Sequence, residues 1–228
     1  MRSIAWSVVS ALTLAATSRA GAPAAAACDH PYFPMVKGQT YVYRASGIDV
    51  TEVITRIEGE QVTLDVTTGA GARSRTTTVT ETCTAEGIGS QAAHSADGKT
   101  SVRTTKRSGA EYGPAAQMRV GGAWSFQDVT ESVHGGTTVT SDRRSTSKVV
   151  SSEQVTVPAG TYDTLRVESV VDVTMPTAGR GADRASRNTP RHYRTVAWIA
   201  KGVGLVKMES LSESGEASAA SELVSFKK

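Results

Sequence analysis

Apolar and polar residues alternate with a period of two along most of this chain, which is the pattern of β-strands with one buried face. The alternation is clearest in residues 164–174, where four apolar side chains fall on one parity and charged side chains on the other. This predicts a half-buried antiparallel strand with one wet face. Glu168 and Asp172 lie on the wet parity, and we expect them to pair with basic residues across the sheet. The apolar positions are Leu165, Val167, Val171 and Val173.

Turn residues mark where these strands reverse. Pro158-Ala159-Gly160 separates residues 154–157 from residues 164–174. Proline presets the first turn position and Gly160 can adopt a left-handed conformation, so a tight hairpin is predicted. Gly202 is expected to play the same part between residues 195–200 and 203–211, and Gly87 is its counterpart in the first half of the chain.

The remaining segments complete an all-β prediction. Valine and threonine are abundant and long helical stripes are absent, which favours antiparallel strands forming one curved sheet or half-barrel. Residues 92–106 are polar and are predicted to be a connector, and residues 175–191 a long mobile loop. Further strands are predicted at residues 40–45, 50–57, 61–67, 75–83, 123–133, 139–150 and 219–226.

Two sequence phrases occur twice in the same order. Residues 32–43 and 112–126 both read Tyr-x-Pro, a spacer, and then Gly-x-x-aromatic-x-aromatic. A second phrase is shared by residues 83–89 and residues 198–204. This predicts one domain, residues 28–228, built from two repeat units of about 28–91 and 108–228.

Large aromatic side chains stand at matched positions in the two units. We interpret them as core anchors rather than as a ligand platform, because large rings pack where a sheet curves on itself. The residues are Tyr41, Tyr43, Trp124, Phe126 and Trp198.

The N-terminus has the composition of a secretory signal peptide. Arg2 is followed by an uncharged apolar stretch, and small-residue cleavage sites end at Ala20 and at Ala27. We exclude residues 1–27 from the fold and expect an exported protein, periplasmic or extracellular. The formal net charge is +3, and two of the basic residues lie in the signal segment. A nearly neutral remainder gives no general attraction to nucleic acid.

No later segment approaches the length of a transmembrane helix. Aromatic residues make up only 5% of the chain. That is too few for the aromatic girdles of an outer-membrane barrel.

The chain has two cysteines, Cys28 and Cys83. In an oxidising compartment an even pair favours a disulfide, which would tie the start of the mature chain to the end of the first unit. The alternative is a lipoprotein anchored through Cys28. The residue three positions before Cys28 is Ala25 rather than leucine, and residues 18–23 separate Cys28 from the apolar run, so the disulfide is preferred.

No catalytic, metal-binding or cofactor motif stands out. The four histidines lie in different segments without metal-ligand spacing. A Gly-x-Ser-x-Gly elbow is absent. We therefore expect a protein that is not an enzyme and carries neither metal nor cofactor.

One concentration of charge lies near residues 180–194. Five arginines fall there, and their functional interpretation is an anion-binding loop for lipid phosphate, lipopolysaccharide or an acidic polymer. The alternative is a solvated flexible loop, which we favour. The arginines are Arg180, Arg184, Arg187, Arg191 and Arg194.

The hairpin sequences V-P-A-G-T-Y, at residues 157–162, and W-I-A-K-G-V-G-L-V-K, at residues 198–207, carry a family resemblance. In them the chain resembles a broad group of exported bacterial β-proteins of unknown function, some of which are similar to the half-barrels of the LolA/LolB lipoprotein carriers. The resemblance implies a non-catalytic envelope protein that binds an apolar or lipid-like ligand in a curved sheet. The alternative hypothesis is a structural module that contacts another envelope protein and has no small-molecule ligand.

Overall fold

The structure is a computed structural model that describes residues 29–175, 191–212 and 215–228. The described residues form fourteen β-strands. Their bounds are β1 Asp29–His30, β2 Phe33–Pro34, β3 Thr40–Ala45, β4 Ile48–Glu58, β5 Gln61–Thr68, β6 Arg75–Thr84, β7 Gly87–Ser95, β8 Thr100–Gly109, β9 Ala123–His134, β10 Thr137–Val157, β11 Gly160–Thr174, β12 Arg191–Ala200, β13 Gly204–Leu211 and β14 Ala217–Lys227.

Strands β3 to β14 each pair with their neighbours in sequence, and β14 pairs with β3. All of these pairings are antiparallel, so the described strands form one continuous closed barrel. The predicted all-β antiparallel fold is confirmed, and the curved sheet closes on itself. Closing a sheet requires local bends, and the strand registers shift at several β-bulges, including Ile54/Arg56 and Val149/Ser151.

The two halves of the chain contribute equal numbers of strands to the barrel. Strands β3 to β8 and β9 to β14 are two runs of six, and Tyr41 on β3 and Trp124 on β9 open the first strand of each run. The β6–β7 and β12–β13 hairpins, which carry Gly87 and Gly202, also occupy equal positions in the two runs. A common origin of the two units stays a prediction.

The prediction that residues 92–106 form a polar connector is wrong. These residues form the end of β7, a turn at 96–99 and most of β8, and join the two halves as paired strands. They lack an apolar parity because most of this part of β8 faces solvent. β8 is held by backbone pairing with β7 and β9, and the Thr104 hydroxyl also donates to the carbonyl of Ser90.

The ends of the barrel differ. We call the end with turns 59–60, 85–86, 158–159 and 201–203 the lower end, and the opposite end the upper end. Two segments, residues 29–39 and 110–122, fill the lower end, and we call them the plug. Phe33 and Met118 of the plug pack into the main hydrophobic core, with the buried side chains Ile54, Val62, Leu64, Cys83, Ile88, Val149, Leu165, Val167 and Ile199.

A smaller core lies beside the first. The tip of the β10–β11 hairpin folds onto the end of β14, where the Ala159 N–H donates to the carbonyl of Leu223 at 3.1 Å. Val157 is buried there against Ala200, Val206 and Leu223. Apolar packing is therefore concentrated at the lower end, which leaves space higher in the barrel.

Candidate functional site

The barrel interior holds a cavity of about 370 Å³ above the plug, which we call the first cavity. It lies between the plug and the inner faces of β3–β6, β13 and β14. Most of its wall is apolar or aromatic. The lining residues are Phe33, Met35, Tyr41, Tyr43, Ala45, Val50, Glu52, Ile54, Leu64, Glu81, Tyr112, Gly204, Leu205, Met208 and Ser221.

A second cavity of about 250 Å³ occupies the opposite side of the interior, along β9–β13. Tyr112 and Met208 line both cavities and so stand between them. Met208 and Tyr193 point inward but are each 37% exposed, so packed protein does not cover these large apolar side chains. The interior therefore keeps unpacked apolar surface.

Hydrogen bonds join the two segments of the plug to each other and to the barrel. His30 Nε2 lies 3.1 Å from the carbonyl oxygen of Gly113. The backbones of Ile88 and Tyr112 exchange two hydrogen bonds, of 2.9 and 3.0 Å. The Gly202 N–H donates to the carbonyl of Pro31 at 2.8 Å. The floor of the first cavity is thus part of the ordered fold.

Two tyrosines from β3 form an aromatic wall of the first cavity. The rings of Tyr41 and Tyr43 stack with centroids 6.2 Å apart. Their hydroxyls donate to backbone carbonyls, Tyr41 to Pro34 at 3.4 Å and Tyr43 to Leu205 at 3.2 Å. Burial raises the pKa of both phenols, so they remain neutral at physiological pH.

Two carboxyl groups also face the first cavity. Glu52 of β4 and Glu81 of β6 have no hydrogen bond or ion pair with any described residue. Burial raises the pKa of Glu52 above the usual range. Burial raises the pKa of Glu81 to about 7, and the negative charges of Glu52 and Glu111 add to that shift. Such perturbed carboxyls in a cavity are typical of functional sites.

The second cavity contains an internal ion-pair network. Arg143 donates to both carboxylate oxygens of Glu111, at 3.0 and 3.2 Å, and to both of Asp128, at 3.1 and 3.3 Å. Its guanidinium also lies 4.9 Å from the ring centroid of Phe126. Burial alone would lower the pKa of Arg143, but the two carboxylates outweigh it and raise that pKa. This network is saturated within the protein.

The described residues contain no group of three His, Cys, Asp or Glu side chains that could hold a metal ion. His192 Nδ1 lies 2.5 Å from Asp172 Oδ1 on the outer surface, and His134 pairs with Thr100. His30 belongs to the plug. No helix in the described part of the chain is long and apolar enough to cross a membrane.

The sequence-predicted aromatic residues divide between the two faces of the sheet. Tyr41, Tyr43 and Phe126 are buried on the inner face, where Trp124 is half-buried. Trp198 is buried on the outer face, where its Nε1 donates to Glu153 Oε1 at 2.5 Å and Lys207 lies over its ring.

Two of the five arginines in the predicted cluster, Arg191 and Arg194, lie among the described residues, on β12. Arg191 is the cross-strand neighbour of Val173 on the inner face, and Arg194 is that of Val170 on the outer face. These two arginines therefore do not form one patch. Arg194 bonds Glu168 at 3.3 Å, the cross-strand pairing expected for that glutamate. Arg180, Arg184 and Arg187 lie outside the described residues, and the anion-binding loop stays a prediction.

One of the two cysteines of the predicted disulfide lies among the described residues. Cys83 is buried at the end of β6 and is 1% exposed, while Cys28 lies outside the described residues. Residues 1–27, the expected signal peptide, also lie outside them. The turn glycines Gly87, Gly160 and Gly202 all have positive φ, of 120°, 137° and 74°.

Sequence reasoning did not identify Glu52, Glu81 and Arg143 as interior residues. The signal was present in the alternation, since Glu52 shares its parity with Val50 and Ile54. Glu81 likewise shares its parity with Val79 and Cys83. A carboxylate on the apolar parity of a strand indicates a polar group inside the fold.

Comparison with known proteins places the chain by fold. Residues 129–223 match the family described as DUF3108-like. A Bacteroides fragilis protein described as exported and as having a YmcC-like fold is similar, with a TM-score of 0.56 at 14% identity over 87% of this chain and 100% of that one. A Parabacteroides distasonis protein described as a lipoprotein has a TM-score of 0.51 at 13% identity, over 87% and 99% of the two chains. No curated protein matches.

Proposed function

We propose that this chain is an exported, non-catalytic protein of the bacterial cell envelope that binds an apolar or lipid-like ligand inside its barrel. The observation that carries the proposal is the first cavity, whose volume lies within the usual range of about 300–1,000 Å³ for small-molecule sites. Its lining is mainly apolar with a few polar groups, which is the usual composition of such sites.

The location of the empty space supports a ligand rather than a packing defect. Protein interiors are normally close-packed, and the lower half of this barrel follows that rule. The first cavity is confined to the region above the plug, where Met208 lines the empty space and is 37% exposed. An apolar ligand would cover this surface and gain the corresponding hydrophobic free energy.

Export is supported by the N-terminal sequence and is in keeping with how the two similar structures are described. Within the envelope, a carrier or reservoir of apolar molecules has an evident use, since such molecules are poorly soluble in water. The fold itself does not define activity, so the proposal depends on the cavity.

The test is native mass spectrometry of the protein isolated from a bacterial envelope, followed by lipid extraction, together with displacement of a neutral apolar fluorescent probe. We expect a co-purifying apolar molecule and saturable probe binding. Ala45→Trp, which fills the first cavity, should abolish probe binding. Ala220→Trp, on the outer face of β14, should not.

A protein that carries no molecule and binds no probe would contradict the proposal. That result would favour the structural module that contacts another envelope protein. Melting temperatures of both tryptophan variants are needed alongside, because loss of binding counts only for a folded protein.

A further inference from the structure

Among the described residues, the lining of the first cavity contains two acidic side chains and no basic one. Glu111, which lines the second cavity, and Asp128 share Arg143, whereas no described basic side chain forms an ion pair with Glu52 or Glu81. The carboxyls of the first cavity act on each other, because the charge of Glu52 contributes to the raised pKa of Glu81. The first cavity is thus an apolar space with two uncompensated acidic groups.

Neighbouring hydrogen-bond donors do not satisfy these carboxyls. Tyr41 and Tyr43 line the same cavity, but their hydroxyls donate to the carbonyls of Pro34 and Leu205. Both glutamate side chains are half-buried against an apolar wall, and a carboxylate there without a protein donor or counter-charge is energetically costly. A binding partner that brings both donors and positive charge would remove this cost.

An ammonium group meets both requirements, since it is a compact cation with up to three N–H donors and no acceptor. The tyrosine rings of the cavity add favourable cation–π contacts for such a group. Met35, Ile54 and Leu64 provide apolar wall for an attached hydrocarbon chain. A carboxylate or phosphate head would instead face like charge.

We propose that the first cavity selects cationic amphiphiles, molecules with an apolar chain and an ammonium group, and that Glu52 and Glu81 are the anionic partners of that group. This inference rests on the proposed function, because it names the chemical class of the ligand for the same cavity. It predicts discrimination by charge among ligands with the same hydrocarbon chain.

The experiment compares dodecylamine, dodecanol and dodecanoate at pH 8 by isothermal titration calorimetry on the purified chain, with the two ionic probes below their micelle concentrations and dodecanol below its solubility limit. At this pH an alkylamine is protonated and a fatty acid is ionised. We expect dodecylamine to bind at least about tenfold more tightly than dodecanoate.

Variants assign the selectivity to the two glutamates. Glu52→Gln with Glu81→Gln should weaken dodecylamine binding at least about tenfold and leave dodecanol within about twofold. The matched control is Glu60→Gln with Glu86→Gln, two exposed turn glutamates, which should change none of the affinities. Unchanged dodecanol binding also shows that the variant cavity is intact.

Equal binding of all three probes, or tighter binding of dodecanoate, would overturn the charge selectivity and leave the apolar-ligand function standing. Retained amine preference in the double glutamine variant would overturn the roles of Glu52 and Glu81. Failure of every probe to bind would overturn the proposed function along with this inference.

Discussion

The rings of Phe33 and Tyr112 lie with their centroids 4.3 Å apart, although they belong to the two segments that precede the two halves of the barrel. Both residues come from the repeated Tyr-x-Pro phrases at residues 32–34 and 112–114. The repeated sequences therefore meet in the plug at the lower end of the barrel and form the floor of the first cavity.

A double-mutant cycle should detect this contact. Phe33→Leu and Tyr112→Leu are each expected to destabilise the protein. Either substitution alone removes the ring–ring contact, so the double variant should lose about 0.5–1.5 kcal/mol less than the sum of the two single losses. Urea unfolding of the four proteins measures this coupling energy. Tyr112→Phe keeps the ring and should leave the coupling intact, whereas strictly additive losses would argue against a direct contact.

Gly87 should tolerate no side chain. A Cβ there would lie 2.0 Å from the carbonyl oxygen of Tyr112, so Gly87→Ala must displace the plug as well as strain a φ of 120°. Gly202 also has positive φ, but a Cβ meets nothing within 4 Å. We expect Gly202→Ala to cost about 1–2 kcal/mol, the strain of positive φ alone. Gly87→Ala should cost clearly more in chemical denaturation, and equal costs would contradict the close approach.

Stability should fall as pH rises from about 4.5 to about 7. The pKa of Glu81 is about 7 in the folded protein and near 4.5 when unfolded, so the folded state binds more protons between these values. Over this range the free energy of unfolding should decrease by about 2–3 kcal/mol, and Glu52 acts in the same direction. The groups that face Glu81 are Glu52, Glu111, Tyr41, Tyr43 and Tyr112, with Arg143 acting through Glu111.

Glu81→Gln is the corresponding variant. It should stabilise the protein at pH 8 and have little effect at pH 4.5, where the native carboxyl is protonated. This prediction is tested by measuring melting temperatures across this pH range, with Glu86→Gln, at an exposed glutamate, as the control. The raised pKa would be contradicted if the melting temperature of the wild-type protein rose between pH 5 and 8 and that of Glu81→Gln changed with pH in the same way.

Removing Arg143 should be costly. Arg143→Gln leaves the 3%-exposed Asp128 without its cation, and breaking a buried ion pair typically costs about 3–5 kcal/mol. The side chains of Arg143 and Glu111 are 29% and 33% exposed, so we expect a cost at the lower end of that range. Arg103→Gln, which breaks an exposed pair with Glu131, should cost less than about 1 kcal/mol. Equal effects in equilibrium unfolding would show that the Arg143 network is open to solvent.

The Cys28–Cys83 disulfide remains to be tested by non-reducing peptide mapping. We expect a linked peptide pair, and reduction should lower the free energy of unfolding by about 4 kcal/mol because a loop of this length is released. Discovery of a diacylglyceryl group on Cys28 would exclude the bridge and identify an anchored lipoprotein.

The local sequence determined the strands and their turns. The parity of residues 164–174 identified the buried side chains Leu165, Val167, Val171 and Val173, because alternation is a property of each strand alone. Gly87, Gly160 and Gly202 marked hairpins, because positive φ is strongly favoured for glycine. Residues 92–106 escaped detection, because strands without an apolar face carry no such signal.

Tertiary structure alone decided that the sheet closes, that the two Tyr-x-Pro segments plug one end, and that space remains above them. Closure depends on pairing β14 with β3, a contact between the two ends of the described chain that no local pattern encodes. The sequence shows Glu52 and Glu81 on apolar parities, but only the closed barrel turns those parities toward one shared interior. A candidate site formed by distant strands emerges when the chain folds, because proximity in space is set by pairing across the whole sheet.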